Sequence, residues 1–210
     1  MSRMLIKGGT VVTATEIMEA EVLIEDGTVV ALYGRGGSGV ANTLATAAVE
    51  LGAETTIDAT GKYVFPGGVD VHTHMELPFG GTYASDDFES GTRAAAWGGT
   101  TTIIDFAVQT IGDSMVAGYE EWMAKAEGKC AIDYGMHMIV SDVNEATLKE
   151  MDVLMGEGVT SFKLFMAYPG VFMVDDATIF TRSGILYLWQ LCQPMPSARR
   201  RQLCICIEFD

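Results

Sequence analysis

The sequence predicts an α/β protein, in which a strand-rich N-terminal stretch is followed by parallel β-α-β units. Three observations carry that reading. From residue 64 onward, apolar strand-like runs alternate with helix-length segments, and such an alternation needs crossover connections and a parallel sheet. Residues 3–33 instead hold short β-rich runs, with Asp26-Gly27 between two of them. That pair is a hairpin signal, because both turn residues must accept φ > 0. The 210 residues are 49% apolar and 20% charged, a globular composition of a length that suits one domain or one plus a fragment.

Taken in order, RMLIKGGTVVTA and EVLIEDGTVVALYG are strands. Residues 34–54 are rich in Gly, Ala and Thr and read as a flexible insertion. TTIDATGKYVFPGGVDVHTH gives a turn at Gly61, a buried-looking run and a Pro-Gly-Gly break. Four parallel strands are expected at about 64–72, 100–108, 130–140 and 159–167. Helices are expected over DFESGTRAAAW (87–97), SMVAGYEEWMAKAEG and NEATLKEMDVLMGEG. The rhythm stops near Thr181. From Arg182 the charge balance turns from acidic to basic, and three of the four cysteines fall in this tail. So does the run Arg199-Arg200-Arg201. Residues 182–210 therefore read as an aberrant tail, from an ordinary extension or from a shifted reading frame.

Composition also excludes functions. Thirteen basic against 28 acidic residues give a net charge of -15. No basic face is left for nucleic-acid phosphates, and anionic lipid is an unfavourable partner. No run approaches the roughly 18 apolar residues of a membrane span, and MSRMLIKGGTVVTA lacks the apolar core of a signal peptide. Cys130, Cys192, Cys204 and Cys206 are too few for a disulfide scaffold and contain no C-x-x-C pair. A cytoplasmic protein with free thiols is expected.

Chemistry concentrates in a few residues. In Asp70-Val71-His72-Thr73-His74 the two histidines are spaced i, i+2, so a strand projects both to the same side. Two imidazoles so placed can hold one metal ion, usually zinc; the bland alternative is a chance surface pair. Their position at the end of an apolar strand favours the metal, because α/β barrels place active sites at that edge. Lys163 lies inside the fourth strand, in TSFKLFMAYPG. Either it reaches solvent along its stem, or its amine is carbamylated by carbon dioxide into a carboxylate-like metal ligand. Tyr168 follows in the next loop and can donate to an oxyanion; as a half-buried loop aromatic it needs no such role. His137 reads as a core histidine or a support for the ligands.

With these residues in hand, GKYVFPGGVDVHTHMELPFGGTYASDDFESGTRAAAWGGTTTIIDFAVQ resembles the metal-binding opening of the dihydropyrimidinase/D-hydantoinase family, in the amidohydrolase superfamily. SFKLFMAYPG resembles the segment that carries that family's carboxylated lysine. The resemblance covers about residues 3–180. It implies a partial (β/α)8 TIM-type barrel, about the first half, with the N-terminal portion of a small β-sandwich. Residues 1–60 would belong to the sandwich and 61–181 to the barrel. It implies two Zn2+ ions, with His72 and His74 on one and carboxylated Lys163 bridging both. Tyr168 would stabilise the tetrahedral intermediate, and Leu77, Phe79 and Phe165 would sit near the substrate's exocyclic group. The implied reaction opens a hydantoin or 5,6-dihydropyrimidine ring by attack of zinc-bound hydroxide on the cyclic amide. An aspartate then shuttles the proton to the leaving nitrogen.

The chain departs from that pattern after the lysine. The family's two further histidines and catalytic aspartate come from later strands, and no histidine follows His137 here. A complete α/β barrel takes about 250 residues. The chain is therefore expected to be a truncated member, marginally folded and catalytically impaired alone. The family's homotetramer is in doubt for the same reason. Allantoinase and dihydroorotase are alternatives, but they tend to place an acidic-Pro-Gly loop after the histidine pair, where this chain has Met75-Glu76-Leu77-Pro78-Phe79-Gly80-Gly81. Non-catalytic dihydropyrimidinase-related proteins lack the metal ligands that are present here.

Overall fold

The computed structural model describes residues 2–34 and 52–179, together with the backbone of 204–208. Most of the inserted stretch and most of the tail lie outside the described residues. The chain divides into two compact units, Met1–Pro66 and Gly67–Asp210.

The first unit is a six-stranded sheet. Its strands are β1 (Arg3–Lys7), β2 (Thr10–Val12), β3 (Ile17–Glu25), β4 (Thr28–Gly34), β5 (Thr55–Asp58) and β6 (Tyr63–Val64). The order is β5-β1-β3-β2-β6, with β4 also paired to β3. Asp26 and Gly27 join β3 to β4 at φ 47° and 80°, the left-handed pair that the hairpin signal requires. The strand period of two puts Val11, Ala20 and Val22 into a buried cluster, with Ile6, Met18 and Val64 against it. Across the β1–β3 pair, Arg3 Nε donates to Glu25 at 2.6 Å.

The second unit is a parallel sheet of β7 (Gly68–Thr73), β10 (Thr100–Val108), β11 (Asp133–Ile139), β12 (Ser161–Phe165) and β13 (Cys204–Glu208), adjacent in that order. A short hairpin, β8 (Pro78–Phe79) and β9 (Thr82–Tyr83), follows β7. Between the long strands lie α1 (Phe88–Trp97), α2 (Met115–Ala126) and α3 (Glu145–Glu157). Each helix begins where a side chain takes an otherwise orphaned backbone N–H: Asp87 from Ser90, Ser114 from Ala117, and Asn144 from Ala146 and Thr147. Gly158 closes α3 at φ 105°, a conformation open to glycine at little cost. Ile103, Ala107, Trp122, Met138, Leu154 and Leu164 are buried in the core between strands and helices.

Two differences from the sequence reading have local causes. The run expected as one strand over 64–72 splits at Pro66. Tyr63–Val64 pairs with β2 in the first unit, and β7 starts only at Gly68, because proline has no N–H for a ladder. The division between units accordingly falls after Pro66 rather than near residue 60. In the tail, where no continuation of the rhythm was expected, Cys204–Glu208 pairs with β12 from Ser161↔Cys204 to Phe165↔Glu208. Four residues alternating Cys and Ile, followed by Glu208, carry a strand period too short to read as part of a β-α repeat.

Candidate metal centre

The site begins with an irregularity in β7. Asp70 pairs with Ile103, but Thr73 pairs with Asp105, so β7 holds one residue more than β10 over this span. Such a bulge bends a strand and re-aims its side chains. Asp70 Oδ1 accepts the backbone N–H of His72 at 3.1 Å, inside the bulged span. His72 within the bulge and His74 just after it lean together: their Nε2 atoms are 3.2 Å apart and their rings nearly perpendicular at 84°.

That spacing tests whether a metal fits. Two imidazole nitrogens on one tetrahedral ion, each at the usual Zn–N distance, lie about 3.3 Å apart. The same spacing accommodates one shared proton when no cation is there. The donors are therefore placed as a chelating pair, and both can offer Nε2. Among the described residues, no cluster of three or more His, Cys, Asp or Glu surrounds them. The third nitrogen is that of Lys163, in the middle of β12, whose side chain is only 3% exposed. Its Nζ lies 3.5 Å from His72 Nε2.

Phe106 ties these groups together. Its ring centroid lies 4.8 Å from that of His72, 4.9 Å from His74 and 4.7 Å from His137, and Lys163 Nζ stands 4.4 Å above its face. His137 does not join the converging tips. Its Nε2 lies 2.9 Å from the carbonyl oxygen of Val71, which can only accept, so Nε2 carries the proton. Nδ1 is then free to accept the hydroxyl of Ser161. Burial holds the His137 imidazole below its usual range, in keeping with this neutral form.

Beside the nitrogens opens a cavity of about 160 Å³, lined by His74, Leu77, Phe79, Ile139, Lys163, Phe165, Tyr168 and Phe172. It brings Tyr168, the residue expected to stabilise the tetrahedral intermediate, together with Leu77, Phe79 and Phe165, the three positions that the resemblance implies near the substrate. Tyr168 holds φ at 62°, unusual for a bulky side chain. Its carbonyl accepts the N–H groups of Val171, Phe172 and Met173, and its ring meets Phe79 edge-on at 5.0 Å. Sequence reasoning missed Asp105, Phe106 and Phe172. A charge inside the apolar strand TTTIIDFAV was the available signal for Asp105; an aromatic in an apolar run gives none.

Comparison with known proteins places the chain in a family. A model of the Amidohydrolase family matches residues 63–195. The D-hydantoinase of Streptomyces coelicolor is 65% identical over 178 residues, which span 85% of this chain and 36% of that protein. The D-hydantoinase of Geobacillus stearothermophilus is 52% identical over 177 residues, 84% of this chain and 35% of its own length. The crystal structure of dihydropyrimidinase from Brevibacillus agri superposes with a TM-score of 0.75 at 46% identity, covering 86% of this chain and 36% of that one. The chain thus spans about a third of the length of the relatives it matches. The parallel strands are those of a partial (β/α)8 barrel, preceded by part of a small β-sandwich. By family model, sequence and fold, the chain belongs to the amidohydrolase family, on its dihydropyrimidinase/D-hydantoinase branch.

Proposed function

We propose that this chain carries the opening part of the active site of a metal-dependent cyclic-amide hydrolase, acting on hydantoin or 5,6-dihydropyrimidine rings. The observation that carries the reading is the convergence of His72, His74 and Lys163 at the edge of an aromatic cavity. The family is generally metal-dependent. His72 and His74 would hold one divalent ion, taken to be zinc, and carbamylated Lys163 would bridge it to a second. Carbamylation needs the neutral amine: its nitrogen attacks carbon dioxide, and one N–H proton leaves to solvent. The product is a carboxylate-like group on the lysine stem. Bound there, the metal pair would polarise the amide carbonyl and activate water near neutral pH.

The chain's own residues do the rest. The Tyr168 hydroxyl donates to the carbonyl oxygen as negative charge grows on it. The backbone around Tyr168, pinned by three N–H groups on its carbonyl, holds that phenol in place. Leu77, Phe79 and Phe165 exclude water and face the exocyclic group. Among the described residues, no carboxylate lines the cavity to shuttle the proton to the leaving nitrogen, and no histidine follows His137 in the sequence. The chain alone is accordingly proposed to act weakly. A cytoplasmic location belongs to the same reading, and the family's homotetramer is not carried over to this chain. No described helix is long and apolar enough to cross a membrane.

The test has two parts. Equilibrium dialysis against zinc, with metal content measured, should show uptake that His72→Ala and His74→Ala each abolish. Metal-loaded chain given hydantoin and dihydrouracil should yield the ring-opened carbamoyl acids, if slowly. No metal uptake, or uptake indifferent to both substitutions, would sink the reading and favour a non-catalytic relative.

A further inference from the structure

Asp105 stands out as a carboxylate with no route to water. It lies in β10, and its side chain is fully buried, at 0% exposure. Burial pushes its pKa up, opposed by the hydrogen bonds it accepts. Three hydrogen bonds reach it, and the Trp122 side chain stands near enough to favour its charged form. Oδ2 accepts from Thr73 Oγ1 at 2.8 Å and from the Met75 backbone N–H at 2.9 Å. Oδ1 accepts the N–H of Phe106 at 2.8 Å.

The placement of these donors matters more than their number. Thr73 and Met75 are the two neighbours of His74. Strand β7 ends at Thr73, so the His74 backbone lies beyond the β ladder. One carboxylate oxygen, reached through 30 residues of intervening chain, grips the segment on both sides of the histidine. The third bond goes to Phe106, whose ring packs on both imidazoles. Such a spot calls for an acceptor-only group. Every partner is an N–H or O–H donor, and an amide's NH2 would face one of them.

We infer that Asp105 is a positioning residue for the metal centre: by holding Thr73 and Met75 together, it sets the reach of His74 toward His72. The inference rests on the metal reading above. It assigns Asp105 no contact with metal or substrate. It acts through the backbone at His74, as groups outside the ligand set commonly govern metal affinity by orienting ligands.

Cobalt(II) titration of the full chain tests it, because the visible d–d bands report coordination geometry independently of turnover. The variants are Asp105→Asn, Thr73→Val and Thr73→Ser, with His74→Ala as reference and far-UV circular dichroism for the fold. Thr73→Val removes one of the two grips at nearly constant shape, and Thr73→Ser keeps it. We expect Thr73→Val to bind cobalt about 10-fold more weakly with altered bands, Thr73→Ser to match the wild type, and Asp105→Asn to lose more than Thr73→Val. If Asp105→Asn does not fold, the Thr73 pair decides. Wild-type affinity and bands in folded Thr73→Val, while His74→Ala loses binding, would overturn the positioning role and leave the metal reading standing. Cobalt binding absent from the wild type, or unaffected by His74→Ala, would overturn both.

Discussion

His137 shows how a single side chain can be legible in part. Sequence placed it in a core strand and gave it a supporting part. It could not show that the ring bridges Ser161 and the Val71 carbonyl, since the latter bond spans 66 residues. The geometry accommodates a neutral ring, and burial depresses its pKa in the folded state. The sign follows. Below the unfolded value near 6.5 the unfolded chain binds the extra proton more readily, so this stability is present above that pH and is lost as pH falls through the lower folded value. Urea midpoints should drop between pH 7.5 and 5.5, and His137→Gln should lose part of that drop. An identical slope in the variant would place the proton elsewhere. Lys163 was legible because a charge inside an apolar strand demands a reason. Asp105 obeys the same rule, yet its partners Thr73 and Met75 are about 30 positions away. Charge patterning alone does not connect them.

Elements were more legible than contacts, because caps and periodicity are local. Asp87, Ser114 and Asn144 mark the helix starts, and the helices run within a residue or two of the expected spans. The exceptions were the strand Cys204–Glu208 and the run across Pro66, where apolar character continues but hydrogen bonding does not. Gly118 records a constraint of the next level up. It lies in the first turns of α2, and a Cβ there would come within 2.4 Å of the Val108 carbonyl oxygen on β10. In an exposed helix, Gly→Ala gains about 1 kcal/mol. Here the close approach reverses the sign, and Gly118→Ala should destabilise by about 1–3 kcal/mol, the usual range for overpacking. Chemical denaturation would detect it, and a stabilised variant would show that α2 can ride further from the sheet.

On the scale of the molecule, the order β7-β10-β11-β12 follows from short β-α-β steps and could be anticipated from the alternation alone. The edge could not. Among the described residues β7 pairs on one side only, and Val69 and Val71 are 58% and 55% exposed. An unpaired strand bearing exposed valines is a site for nonspecific association. The chain should bind a hydrophobic dye such as ANS, and Val69→Thr, which keeps the β-branched shape, should lower that fluorescence without changing far-UV dichroism. Unchanged dye binding would locate the exposed apolar surface elsewhere. The extra residue in β7 has a last consequence, for anyone who would borrow this site. Grafting Asp-Val-His-Thr-His onto an even strand of another scaffold would transfer the letters without the grip, because straight pleating leaves successive same-side side chains about 7 Å apart at their roots. What travels is the pentapeptide together with its offset neighbour, and deleting one position from the native strand should scatter the two rings as surely as mutating either.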